Sequence, residues 1–126
     1  MRYLFGSFLL CLVASASAQP VAIALHGGAG TIEPGKMSGE VERSYREFLD
    51  AAVTAGHRQL QAGDDGLDVV VSIIQRMEES PLFNAGKGSV YTWEGQHELD
   101  ASIMHGDRLD AGAVAGVTTV QSPIAL

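Results

Sequence analysis

Apolar residues change their spacing along this chain, and each change marks an element. Val21-Ala22-Ile23-Ala24-Leu25 is an unbroken apolar run between Pro20 and glycine-rich sequence. It predicts a short strand covered on both faces. From Ser38, a suitable N-cap with Glu40 and Glu42 just inside, the spacing becomes helical. Val41, Tyr45, Phe48, Leu49, Ala52 and Val53 share one face, and Gly63 is placed to end the helix. Asp64 or Asp65 can cap a second helix. Its apolar face is expected to be Leu67, Val70, Val71, Ile74 and Met77, with Gln75, Arg76 and Glu79 turned outward. Beyond residue 89 the period shortens. Val90 to Trp93 reads as a strand and Glu94-Gly95-Gln96 as its turn. His97 to His105 alternates, with Leu99, Ala101 and Ile103 opposite Glu98, Asp100 and Ser102. Gly106-Asp107 is a turn, and Leu109 to Val117 is a last strand rich in alanine and glycine.

The order is therefore strand, two helices, then three strands on short connections. Short connections imply antiparallel pairing, and helices kept apart from an antiparallel sheet imply an α+β fold. Pro123 is suited to begin another helix. Helices on one face of a sheet leave its other face open, and the small residues of the last strand suit close cover. These features predict that the chain is part of a larger layered unit.

Between the second helix and the strands lies a stretch without regular period, from Glu78 through Ser80-Pro81-Leu82-Phe83-Asn84-Ala85-Gly86-Lys87-Gly88 to Val90. Pro81 lacks a backbone N–H and biases Ser80 away from helix, so the helix must stop here. Gly86 and Gly88 permit close backbone approach. A second glycine-rich stretch, His26-Gly27-Gly28-Ala29-Gly30, follows the first apolar run within a loop closed by Pro34-Gly35. Its backbone N–H groups at a strand end are the kind that hold an oxyanion or an anionic substrate group.

Residues 1–18 stand apart. Arg2, the apolar run from Leu4 to Val13 and the small-x-small Ala16-Ser17-Ala18 read as a secretory signal peptide, too short for a membrane span. The expected destination is periplasmic or secreted, with no membrane association after cleavage. Cys11, the single cysteine, falls in that segment, so residues 19–126 carry no disulfide. The 126-residue chain has 8 Lys+Arg against 15 Asp+Glu, a net charge of −7, scattered rather than blocked. Nucleic acid is a poor partner for such a surface.

Other candidate chemistries fit less well. A His-Gly-Gly loop after a strand also occurs in α/β-hydrolase esterases, but no Gly-x-Ser-x-Gly elbow accompanies it here. The glycine spacing is wrong for a dinucleotide fingerprint. His97, Asp100 and His105 do not make a metal site, because alternation places Asp100 opposite both histidines. Thr118 and Thr119 have no identifiable base beside them. A non-enzymatic exported module that binds a small anion through its glycine loops is the rival of a different class.

Several separate stretches carry a resemblance to the plant-type asparaginases. They are Val21 to Gly30, Leu67-Asp68-Val69-Val70, Glu78 to Gly88, His97 to Ser102 and Ala111 to Val117, in that order. This family comprises the isoaspartyl peptidases and L-asparaginases, N-terminal-nucleophile hydrolases. The resemblance implies an αββα sandwich, made as a precursor that cuts itself into two subunits. The exposed N-terminal threonine then attacks L-asparagine or a β-aspartyl dipeptide, with its own α-amine as base.

In such enzymes that threonine lies in a Gly-Thr-Val-Gly sequence downstream of the region resembled here, so the resemblance places the nucleophile beyond Leu126. Residues 19–126 thus resemble the N-terminal part of the α subunit, with no catalytic residue in this chain and no activity expected of it alone. Its implied partners are the remainder of the α subunit and the β subunit, assembled as a dimer of αβ units. By the same resemblance His26, Gly27, Gly28, Gly30 and Asn84 support the active site. The stretch around Asn84 resembles a structural sodium site built from main-chain carbonyls of Met77, Glu78, Ser80, Phe83, Ala85 and Lys87. Carbonyl oxygens suit a hard cation whatever the side chains.

Overall fold

The computed structural model describes residues 20–30 and 35–126. The signal-peptide reading of residues 1–18 and the Pro34 of the loop closure lie outside the described residues. Helix α1 spans Gly39–Ala62 and helix α2 spans Gly66–Glu78, close to the expected boundaries. Both N-termini are capped by the anticipated chemistry. Ser38 Oγ accepts from Val41 N and Asp65 Oδ1 accepts from Leu67 N, each cap contributing about 1 kcal/mol. Gly63 ends α1 at φ 94°, its N–H donating to Leu60 O while the Asp64 N–H donates to Gln59 O.

The two helices form a hairpin around a small core of Ala52, Val69 and Ile73, with Phe48, Ala55 and Leu60 packed on it. The inward line of α2 is Val69, Ile73 and Met77, one position from the expected Val70 and Ile74. Val70 is 42 % exposed. Apolar residues occupy 69–71 and 73–74, so spacing alone did not choose the face. Packing did: Val69 and Ile73 meet the gap at Gly56 of α1, where a methyl group would lie 3.3 Å from Ile73 Cγ1.

The same gap receives the first apolar run. A methyl at Gly56 would sit 2.6 Å from Ile23 Cδ1, so the absent side chain is what seats Ile23. Residues 21–25 pair with no strand among the described residues. Their burial alternates, with Ile23 and Leu25 resting on the helix pair and Ala22 and Ala24 exposed. The expected two-sided burial is corrected to one-sided, because a single layer lies against them.

Among the described residues the sheet has two strands, β1 (Leu99–His105) and β2 (Asp110–Val117), paired antiparallel with His105 opposite Asp110 and Leu99 opposite Val117. Alternation along β1 is as expected: Leu99, Ala101 and Ile103 are half-buried, and Asp100, Ser102 and Met104 are exposed. Leu109 belongs to the turn instead of the strand, with φ 55° and most of its side chain in solvent. A bulge falls near Gly116, whose N–H donates to Asp100 Oδ1 at 2.8 Å.

Val90 to Trp93 does not form a strand. It makes a single rung, Thr92 N–H to Gln96 O at 2.7 Å, with Tyr91 stacked on His97 across the turn. One rung is too short for a ladder, and Val90, Tyr91 and Trp93 stay exposed. Pro123 begins a short 3₁₀ turn, Pro123–Ala125, that lies against α2 and β1. Leu126 follows it, donating its N–H to Pro123 O at 3.2 Å with its side chain 70 % exposed. Helices at one end and an antiparallel pair at the other make this an α+β arrangement. No helix of the described residues is long and apolar enough to cross a membrane.

Candidate functional site

The two glycine-rich stretches, far apart in sequence, meet on Phe83. Phe83 is 4 % exposed. Its ring lies edge-on to Tyr45 at 5.7 Å and tilted against Phe48 at 4.9 Å, both on α1. Gly27 lies over the same cluster: a methyl there would be 3.4 Å from Leu49 Cδ1 and 3.8 Å from Phe83 Cε1. The Tyr45 hydroxyl donates to the carbonyl of Leu82. Helix α1 therefore holds one glycine loop directly and the other through an aromatic wedge.

Within the first loop, Gly28 N–H donates to His26 Nδ1 at 3.2 Å, with Gly28 at φ 114°. His26 thus folds back on its own backbone and engages one of the amides expected to face an anion. Gly30 is exposed and open around its α-carbon.

The second loop coils on itself. Ser80 N–H donates to Met77 O, Ala85 N–H to Phe83 O, Gly88 N–H to Ala85 O and Ser89 N–H to Gly86 O. Ser80 Oγ, in a buried residue, accepts from Leu82 N. The glycines sit where the coil is tightest. A methyl at Gly86, which has φ 48°, would lie 2.4 Å from Glu78 O. One at Gly88 would lie 2.3 Å from Phe83 O and 2.9 Å from Pro81 O. Both α-carbons are pressed on carbonyl oxygens, and no other residue type fits there. The carbonyls of Met77, Phe83 and Ala85 each accept one bond and retain a second lone pair. Carbonyl oxygens as a class suit a hard cation better than a transition metal. Among the described residues no cluster of three His, Cys, Asp or Glu side chains suits a metal.

Asn84 closes the loop, its Oδ1 accepting from Val90 N at 2.9 Å. That bond assigns the amide oxygen and leaves the NH₂ group to face outward on an exposed residue. It borders a shallow cleft of about 220 Å³ shared with Glu78, Gly86, Glu98, Leu99 and Pro123. Leu126, past which the nucleophile is expected, is not among the residues that line this cleft. Its N–H closes the 3₁₀ turn that carries Pro123.

One functional group escaped the sequence reading. The Glu78 side chain is 3 % exposed, and its carboxylate accepts from Ser122 Oγ and from Ile124 N. Glu78 is the last residue of α2, so the helix period alone marks it only as a polar position beside a loop. The available signal was its place next to Met77 on the buried line.

The model of the family described as asparaginase matches residues 18–126, a span that takes in both glycine loops. The chain belongs to this family. It is 52 % identical over 102 residues to the isoaspartyl peptidase of Salmonella typhimurium, covering 81 % of this chain and 33 % of that protein. The isoaspartyl peptidase of Escherichia coli is 50 % identical over the same length, covering 81 % of this chain and 32 % of that protein. The plant-type L-asparaginase of Thermococcus kodakarensis is 48 % identical over 105 residues, 83 % of this chain and 33 % of that protein. The chain thus spans about a third of the length of these asparaginase-family relatives. The family resemblance read from the five stretches is confirmed, and the esterase and anion-module readings find no support.

Proposed function

We propose that this chain forms the N-terminal third of an isoaspartyl peptidase/L-asparaginase acting on β-aspartyl dipeptides and L-asparagine. The observation that carries the proposal is the match across residues 18–126 to relatives bearing those names. In this reading the two helices and the β1–β2 pair belong to an αββα sandwich completed by further polypeptide. The complete protein is a self-cleaving precursor, exported to the periplasm or beyond, that assembles as a dimer of αβ units.

The nucleophile is then a threonine exposed by cleavage on that further polypeptide, past Leu126. Its Oγ attacks the side-chain carbonyl carbon while its α-amine takes the hydroxyl proton. The proton passes to the departing ammonia or peptide amine, and water releases aspartate from the ester. The part of this chain is placement. The His26 to Gly30 loop flanks the nucleophile, and the outward NH₂ of Asn84 orients it or a water. A sodium ion held by the carbonyls of Met77, Glu78, Ser80, Phe83, Ala85 and Lys87 would keep the second loop coiled.

A chimera tests this reading. The Salmonella typhimurium isoaspartyl peptidase, with its matched third replaced by residues from Val21 onward, should cleave itself and hydrolyse a β-aspartyl dipeptide. The 126-residue chain by itself should release no ammonia from asparagine. An inactive, uncleaved chimera, or an active isolated chain, overturns the proposal. In the same chimera, exchanging sodium for a bulky organic cation should lower the Tm by roughly 5 °C. A chelator of divalent ions should leave it unchanged. An identical Tm without sodium excludes the cation.

A further inference from the structure

The Glu78 carboxylate is buried without a cationic partner among the described residues. Burial of an ionised carboxylate is unfavourable unless donors satisfy it. Both donors here come from one short segment: Ser122 Oγ and the N–H of Ile124 at 3.2 Å. The Ile124 amide is in the first turn of the Pro123–Ala125 3₁₀ turn, and Pro123, between the two donors, is itself buried. The carboxylate therefore fastens a loop at the far end of the described chain to the end of α2.

The main chain of the same residue supports the second glycine loop. Gly86 is pressed on Glu78 O and Cβ. Pro123 and Asn84 border the same cleft. Glu78 thus touches one side of that cleft with its backbone and holds the other with its side chain.

We propose that Glu78 is a positioning residue, whose carboxylate latches the 122–124 segment against the Asn84 loop and so sets where the Asn84 amide points. The catalytic consequence rests on the proposed function. The latch itself does not. Losing it leaves both loops free to shift relative to each other while the helix pair, whose core lies elsewhere, stays intact.

The latch is tested first in the full 126-residue chain by amide hydrogen exchange. Glu78→Gln retains shape but presents an NH₂ to a donor, and Ser122→Ala removes one donor. Each should speed exchange at Ile124 and at Gly88 to Val90 by at least tenfold, with residues 48–58 of α1 unchanged. Equal acceleration in α1 would mean general destabilisation and overturns the latch. Unchanged exchange at Ile124 also overturns it.

The second readout uses the chimera. Glu78→Gln and Ser122→Ala should lower kcat at least tenfold with KM within twofold. Ser122→Thr, which keeps the hydroxyl, should restore kcat. A rise in KM at constant kcat, or failure of threonine to rescue, overturns the positioning role. If the unsubstituted chimera is inactive, the proposed function fails, and the exchange measurement still decides the latch.

Discussion

Replacing Gly88 by alanine is expected to destabilise the chain by about 3 kcal/mol, a large effect for one methyl group. The new Cβ would fall 2.3 Å from Phe83 O and 2.9 Å from Pro81 O. Both obstacles are backbone atoms, so no side-chain rotation relieves the clash. Moving Phe83 O would also disturb its bond from Ala85 N–H at 2.8 Å. Phe83 carries the aromatic wedge, so the disturbance spreads to Tyr45 and Phe48. Gly106→Ala is the control, because nothing lies within 4 Å of that position, and it should change stability by no more than about 0.5 kcal/mol. Urea unfolding of both variants checks the pair. Similar midpoints would mean that the loop does not coil as described.

The second large effect is expected in the core. Ile73 is 1 % exposed and is among the largest fully buried side chains. Truncation to alanine removes its contacts and leaves a cavity between the helices, costing about 3–4 kcal/mol. Ile74, one residue on, is only half-buried, and Ile74→Ala should cost roughly half as much. Thermal or urea unfolding of the two variants distinguishes the observed helix face from the expected one. If Ile74→Ala is the more damaging, the face assigned to α2 is wrong.

The helix ends were legible in the sequence because Ser38, Asp65 and Gly63 each answer a local need for a donor or acceptor at a helix terminus. Strand β1 was legible because its alternation is clean. The inward face of α2 was not, since valine and isoleucine nearly encircle the helix, and only the notch at Gly56 selects among them. The runs at Val21 and Val90 have strand composition but lack a neighbour to form a ladder among the described residues. Composition reports what a segment would do with a partner, and a partner is a tertiary fact.

The candidate site was legible at the level of motif. The two glycine stretches and Asn84 stood out as departures from periodicity, and the fold brings the stretches together on Phe83. What joins them was hidden. Tyr45 and Phe48 read as ordinary members of an apolar helix face, though one donates to Leu82 O and both flank Phe83. Glu78 was hidden for a different reason: a buried acid is rare enough that pattern assigns it to the surface.

The notch at Gly56 also constrains the order of assembly. Its walls come from both helices, Gly56 from α1 and Val69 and Ile73 from α2, so no receptacle for Ile23 exists until they have paired. The helix hairpin forms from contacts close in sequence, the kind that are made quickly. Ile23 must therefore wait for a helix translated well after it, and its seat is filled late.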